Sequence, residues 1–153
     1  MIQEDSGSLY REKIRTLYLD TFSTGISAQF IDQEQLDTLM NLTYSGGKMY
    51  VSVKESGLCG AAFLFPLKYD DLFPIKSFQF FENEKVMYFA ELLVDEKVRG
   101  KGIGGEMISY INDALKKEGY KFLVIRVWEK NEAALHLYLK HGFSEIYRIK
   151  QLK

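Results

Sequence analysis

The chain predicts a mixed α/β fold, a single and mostly antiparallel central sheet flanked by helices. Three observations predict it. Apolar residues recur at helical spacing in four segments and fill strand-length runs in five others, in the order α-α-β-β-β-α-β-α-β. Two of the strands flank a short glycine turn and so pair antiparallel, whereas the later strands alternate with helices that must cover the faces of one sheet. At 153 residues, 46% hydrophobic and 27% charged, the chain has the size of one globular domain, expected over 1–153, without repeats or low-complexity segments.

Leu9 to Phe22 sets Ile14, Leu17, Tyr18 and Phe22 at helical spacing, with Ser8 as the expected N-cap and Glu12 in the first turn. Ile31 to Tyr44 repeats the pattern through Leu36, Leu39, Met40 and Thr43 and stops at Ser45-Gly46-Gly47. Met49 to Lys54 and Leu58 to Leu67 form a hairpin around Glu55-Ser56-Gly57. Regularity fails between Tyr69 and Lys85, where Pro74, Phe73, Phe78, Phe80 and Phe81 sit among charges, with Pro66 just before; an aromatic-packed loop or irregular hairpin is expected. Val86 to Val94 is a strand. Gly102 to Lys117 is a helix with Met107, Ile108, Ile111 and Leu115 on one face, and Phe122 to Trp128 a buried strand. Asn131 to Lys140 is a helix closed by His141-Gly142, and Phe143 to Leu152 a last strand.

Composition narrows the function. A net charge of −1 creates no global field for nucleic acid or an anionic membrane, although residues 116–153 carry nine Lys/Arg against four Asp/Glu. The single cysteine, Cys59, excludes an internal disulfide and any Cys-based metal cluster, and with only His136 and His141 besides, no catalytic metal is expected. The opening Met-Ile-Gln-Glu-Asp-Ser has no apolar signal core behind it, and no stretch approaches ~18 apolar residues, so a cytoplasmic protein is expected.

The chemistry concentrates at Val94-Asp-Glu-Lys-Val-Arg-Gly-Lys-Gly-Ile-Gly-Gly105. A strand, a glycine turn and a helix start leave unpaired N–H groups at the positive end of a helix dipole, a geometry suited to phosphate. A Walker loop needs Lys-Ser/Thr after its last glycine, but Glu106 and Met107 follow here; Gly100, Gly102 and Gly105 do stand at the spacing of a dinucleotide fingerprint, which by itself is a weak signal. What remains is Arg99-x-x-Gly102-x-Gly104 after Leu92-Leu93-Val94-Asp95. That block resembles the acetyl-CoA signature of the GNAT family of N-acetyltransferases. Asn131, Ala134, Tyr138, Lys140, Gly142 and Phe143 match the family's later block at every fixed position, and the resemblance covers about residues 48–150.

The resemblance implies the GNAT fold, with acetyl-CoA as cosubstrate and no metal. Arg99, Gly100, Lys101, Gly102, Ile103 and Gly104 would cradle its pyrophosphate. Leu92, Leu93 and Val94 would pair with its pantetheine arm in a slot opened by splaying from the strand Phe122 to Trp128, and Asn131 would lie near that arm. Tyr138 would be the general acid at the sulfur. Glu91, a carboxylate in an apolar run, is the candidate base, since burial raises a carboxylate toward a useful pKa. Some members of that family carry a glutamate where this chain has Tyr88, and others carry it where this chain has Arg126. A water chain acting with Tyr88 or Glu91 is the other route.

The resemblance further implies that the acceptor, a small-molecule amine or a protein amino group, enters over Phe22 to Ile31 and Tyr69 to Phe81. Carboxylates at Asp70, Asp71, Glu82 and Glu84 beside those aromatics would suit a cation. The same aromatics would serve equally as core or as the seam of a homodimer. No nucleic-acid or membrane partner is expected. A non-catalytic CoA-binding sensor of the same fold is the alternative reading.

Overall fold

The computed structural model describes residues 1–23, 32–70 and 85–146. Its elements run β1 (Ile2–Glu4), α1 (Arg11–Ser23), α2 (Gln33–Gly46), β2 (Lys48–Lys54), β3 (Gly57–Pro66), β4 (Val86–Val94), α3 (Ile103–Lys117), β5 (Phe122–Ile125) and α4 (Glu132–Lys140). Short 3-10 turns follow β3 at Leu67–Tyr69 and β4 at Glu96–Val98. The strands lie in sequence order in one five-stranded sheet. The first three pairings are antiparallel; β4 and β5 are parallel because α3 carries the chain back across the sheet.

Apolar spacing decides which face each helix covers. Ile103, Met107, Ile108, Ile111 and Leu115 make a buried stripe on α3 against Tyr50, Ala62, Leu64, Met87 and Phe89 of the sheet, joined by Tyr138 of α4. Burying five such side chains contributes roughly 10 kcal/mol gross, before chain entropy. On the other face Ile14 and Leu17 of α1 and Leu36 and Met40 of α2 pack on Met49, Val51, Ala61, Phe63 and Leu93. A further cluster, Phe65, Leu67, Val86, Tyr88 and Val124, continues that face toward β5.

Several local expectations are corrected. The orphan N–H groups ahead of α1 are met not by Ser8, which sits at φ 53°, but by Asp5. Its buried carboxylate accepts from the N–H of Leu9 (2.9 Å), the N–H of Tyr10 (3.0 Å) and the hydroxyl of Tyr44 (2.7 Å). Strand β1 was not legible: three residues show too little alternation, and they hold the edge by pairing with Tyr50–Ser52. β5 ends at Ile125 rather than Trp128. No strand forms over residues 143–146, and residues 147–152 of that expected strand lie outside the described residues, as do residues 71–84 of the aromatic loop and 24–31 before α2.

One irregularity in β4 positions the site. Phe63 of β3 opposes Glu91, yet the next residue, Leu64, opposes Phe89, so Ala90 is an extra residue, a β-bulge. The bulge reverses the alternation. Met87 and Phe89 before it, and Leu92 and Val94 after it, face α3 and α4. Leu93 faces α1 and α2, and so does Glu91, whose cross-strand partner Phe63 belongs to that layer.

Candidate active site

β5 is in register with only the first part of β4, from Val86↔Phe122 to Phe89↔Ile125. From Ala90 to Val94 the edge of β4 away from β3 has no ladder partner among the described residues. The two strands part at the bulge, where a bulged strand bends and twists most. The result is an open backbone edge bearing Leu92, Leu93 and Val94.

That edge leads into the glycine loop. The carboxylate of Asp95 accepts from the N–H of Lys97 (3.0 Å) and shapes the turn Glu96–Val98, while exposed Arg99 donates Nε–H back to the carbonyl of Val94 (3.3 Å). Gly100 and Gly102 adopt φ +81° and +79°, a left-handed conformation that other residues adopt only with strain. A Cβ on either would meet nothing within 4 Å, so the backbone's conformation, not crowding inside the protein, requires glycine there. Gly102 is the N-cap of α3 and offers no side-chain cap; the first intrahelical bond is from Glu106 N–H to the carbonyl of Gly102 (3.0 Å). The N–H groups of Ile103, Gly104 and Gly105 thus precede the ladder. A diphosphate fits this donor set. Exposed Lys101 adds a cation nearby. A Cβ on Gly104 would touch Leu137 of α4 (3.4 Å) and Leu92 and Val94 of β4 (3.7 and 3.8 Å), so the helix start sits tightly between strand and helix.

Tyr138 and Glu91 approach the parting of the strands from opposite faces. Tyr138 is buried, with its ring edge-on to Phe89 (6.3 Å) and Phe143 (5.5 Å). Burial, and then the charge of Glu91, push its phenol well above the usual range, so it remains protonated at neutral pH. Glu91 has part of its side chain open to solvent, and among the described residues it has no hydrogen-bond or ion-pair partner. Burial of its carboxyl raises the pKa to about 7, opposed by the positive charge of Arg126. Asn131 is the N-cap of α4, and its Oδ1 accepts from the N–H of Ala134 (3.2 Å), so that oxygen is committed to the helix.

Two groups on the Glu91 face were not singled out from sequence as site residues. Tyr18 of α1 packs on Phe22 (4.7 Å) and Phe63 (6.0 Å), and the charge of Glu91 adds to burial in raising its phenol. Its helical spacing reads as core, and only the bulge brings Glu91 to its side of the sheet. Arg126, just past β5, forms a bidentate pair with Asp70 (2.8 and 2.9 Å) and holds its guanidinium over the Tyr88 ring (5.6 Å). Asp70, expected to face a cationic acceptor, is therefore engaged by a cation of the chain itself. Among the described residues there is no group of three or more His, Cys, Asp or Glu able to hold a metal ion, and no helix is long and apolar enough to cross a membrane.

Comparison with known proteins agrees with this geometry. The model of the acetyltransferase (GNAT) family matches residues 11–143. An uncharacterized N-acetyltransferase of Bacillus subtilis (strain 168), YobR, is 38% identical over 66 residues, which are 40% of this chain and 27% of that protein. The chain matches little more than a quarter of the length of its curated relatives, 27% and 28%. Two solved structures put forward as acetyltransferases share the fold. One, from Clostridium difficile 630, has a TM-score of 0.74 at 17% identity and covers 100% of this chain and 96% of its own. The other, from Pyrococcus furiosus, has 0.73 at 22%, covering 100% and 98%. With the family model spanning most of its length, the chain belongs to the GNAT acetyltransferase family.

Proposed function

We propose that this chain, as a single domain over residues 1–153, is an acetyl-CoA-dependent N-acetyltransferase acting on a primary amine of a small molecule or a protein. The observation that carries this reading is the parting of β4 and β5 beside the uncapped, glycine-led start of α3. Acetyl-CoA supplies an acetyl thioester, whose carbonyl carbon is the electrophile. The N–H groups of residues 102–105 hold the diphosphate, and the open edge Leu92–Val94 holds the pantetheine amides as a further strand. A backbone N–H near Leu92 donates to the thioester oxygen as negative charge develops there.

Glu91 receives the acceptor's proton. An alkylammonium near ~10.4 is about three units above Glu91, a gap of roughly 4–5 kcal/mol. Desolvation narrows it from both sides, raising the carboxyl and lowering the ammonium. Tyr138 donates its O–H to the departing sulfur. A thiol near ~8.5 is the stronger acid, so Tyr138 stabilises the thiolate by a hydrogen bond before any proton moves.

Calorimetric titration with acetyl-CoA, followed by thiol release over a panel of amines, tests the reading. Binding with CoA release for one amine class supports it and identifies the acceptor. Binding without release for any amine favours the sensor, and no binding refutes both. Tyr138→Phe should retain binding while turnover falls ~10²–10⁴-fold; unchanged turnover would remove Tyr138 from the mechanism.

A further inference from the structure

The structure gives Arg126 a fixed place. Val124 is in register with Tyr88, so Arg126, two residues on, projects on the same side of the sheet as Tyr88, the side that Glu91 joins through the bulge. From the end of β5 the side chain reaches across β4, over the Tyr88 ring, to Asp70 beyond the end of β3. Nε and Nη2 both donate to Asp70, whose side chain is 6% exposed against 28% for Arg126. The pair is thus a strap over β4, anchored at its buried carboxylate end.

We propose that Asp70 and Arg126 are positioning residues for Glu91: the Asp70 carboxylate fixes the guanidinium over Tyr88 and so governs how strongly its positive charge favours the ionised, proton-accepting form of Glu91. The inference rests on the proposed role of Glu91 and adds a residue pair to it. The titratable and charged groups facing Glu91 among the described residues are Tyr18 from α1, Tyr88 from β4, Tyr138 from α4 and Arg126 after β5. The tyrosines stay neutral through the range in which Glu91 titrates, their phenols all being raised, which leaves Arg126 as the one full charge among these groups. Asp70 acts through Arg126, because a guanidinium bound at two nitrogens has little freedom to turn.

The pair makes a prediction of opposite signs. Losing the cation makes Glu91 harder to ionise; releasing the cation from Asp70 lets it turn toward Glu91. The test is the carbon-13 chemical shift of the Glu91 carboxyl, followed against pH in the full chain without substrate, so that it reports on Glu91 even if no amine is acetylated. Arg126→Gln should move the midpoint up by about one pH unit, Asp70→Asn should move it down, and Arg126→Lys, which keeps the charge, should fall nearer the native value than Arg126→Gln. The acid limb of kcat/KM should move with the midpoint in each variant. A midpoint that moves in the same direction in Arg126→Gln and Asp70→Asn, or in neither, overturns the proposal. Should Arg126→Gln fail to fold, Asp70→Asn and Arg126→Lys still decide: a downward shift in the first with a near-native value in the second supports it, and any other pair of results overturns it. Shifts as expected with an unmoved kcat/KM limb would retain the electrostatic coupling and reject Glu91 as the base.

Discussion

Glu91, the proposed base, costs the fold stability at neutral pH. Its carboxyl sits near 7 in the fold against 4.5 in an open chain, so the folded state binds the proton more tightly. Stability from this group is greatest below about pH 4.5, where both states are protonated, and declines as pH rises toward 7 and the folded protein must ionise an enclosed carboxyl. Glu91→Gln mimics the protonated form. Urea unfolding at a series of pH values should find it about as stable as the native chain near pH 4.5 and about 2–3 kcal/mol more stable above pH 7. Equal stability at pH 8 would mean that the carboxyl is more open to water than its surroundings indicate. The same variant should lose turnover ~10²–10⁴-fold if Glu91 is the base.

Two glycines at the ends of elements answer to different demands and should fail differently. Gly102 starts α3 at positive φ with open space around it, so Gly102→Val introduces strain of about 1–2 kcal/mol and places a side chain where the phosphate is proposed to lie. The variant should fold and lose acetyl-CoA binding in calorimetry. Gly47, between α2 and β2, is at ordinary negative φ, but a Cβ there would press on the carbonyl of Leu64 and lie 2.7 Å from Phe65 Cα. Those are backbone atoms of a central strand and cannot yield. Gly47→Ala should cost about 2–4 kcal/mol in denaturant unfolding and leave the affinity of the remaining folded protein unchanged.

At the scale of the molecule, the proposed cofactor site draws on β4, the start of α3 and α4, which meet around Gly104. A ligand bridging them should stabilise the fold as a unit: acetyl-CoA at 100 times its Kd contributes about 2.7 kcal/mol, or a rise in Tm of about 5–10 °C, and Gly102→Val should abolish the rise. Such elements were legible because their signals are local. Val86–Val94 is an apolar run interrupted only by Glu91, and the stripe of α3 repeats over four turns. The glycine loop declares itself by residue type. What stayed hidden depends on distant partners: the Asp5 cap, whose third bond comes from Tyr44, the strap from Arg126 to Asp70, and the early end of β5. The face occupied by Glu91 was the hardest to read, since simple alternation groups it with Met87 and Phe89. The bulge that moves it also makes β4 sensitive in a way no substitution would reveal. A sheet has a reading frame of two, and Ala90 shifts it once in mid-strand. Deleting that residue would set Glu91 directly after Phe89 and still opposite Phe63, so every later side chain would keep its layer; what the chain would lose is the bend at which β4 and β5 part.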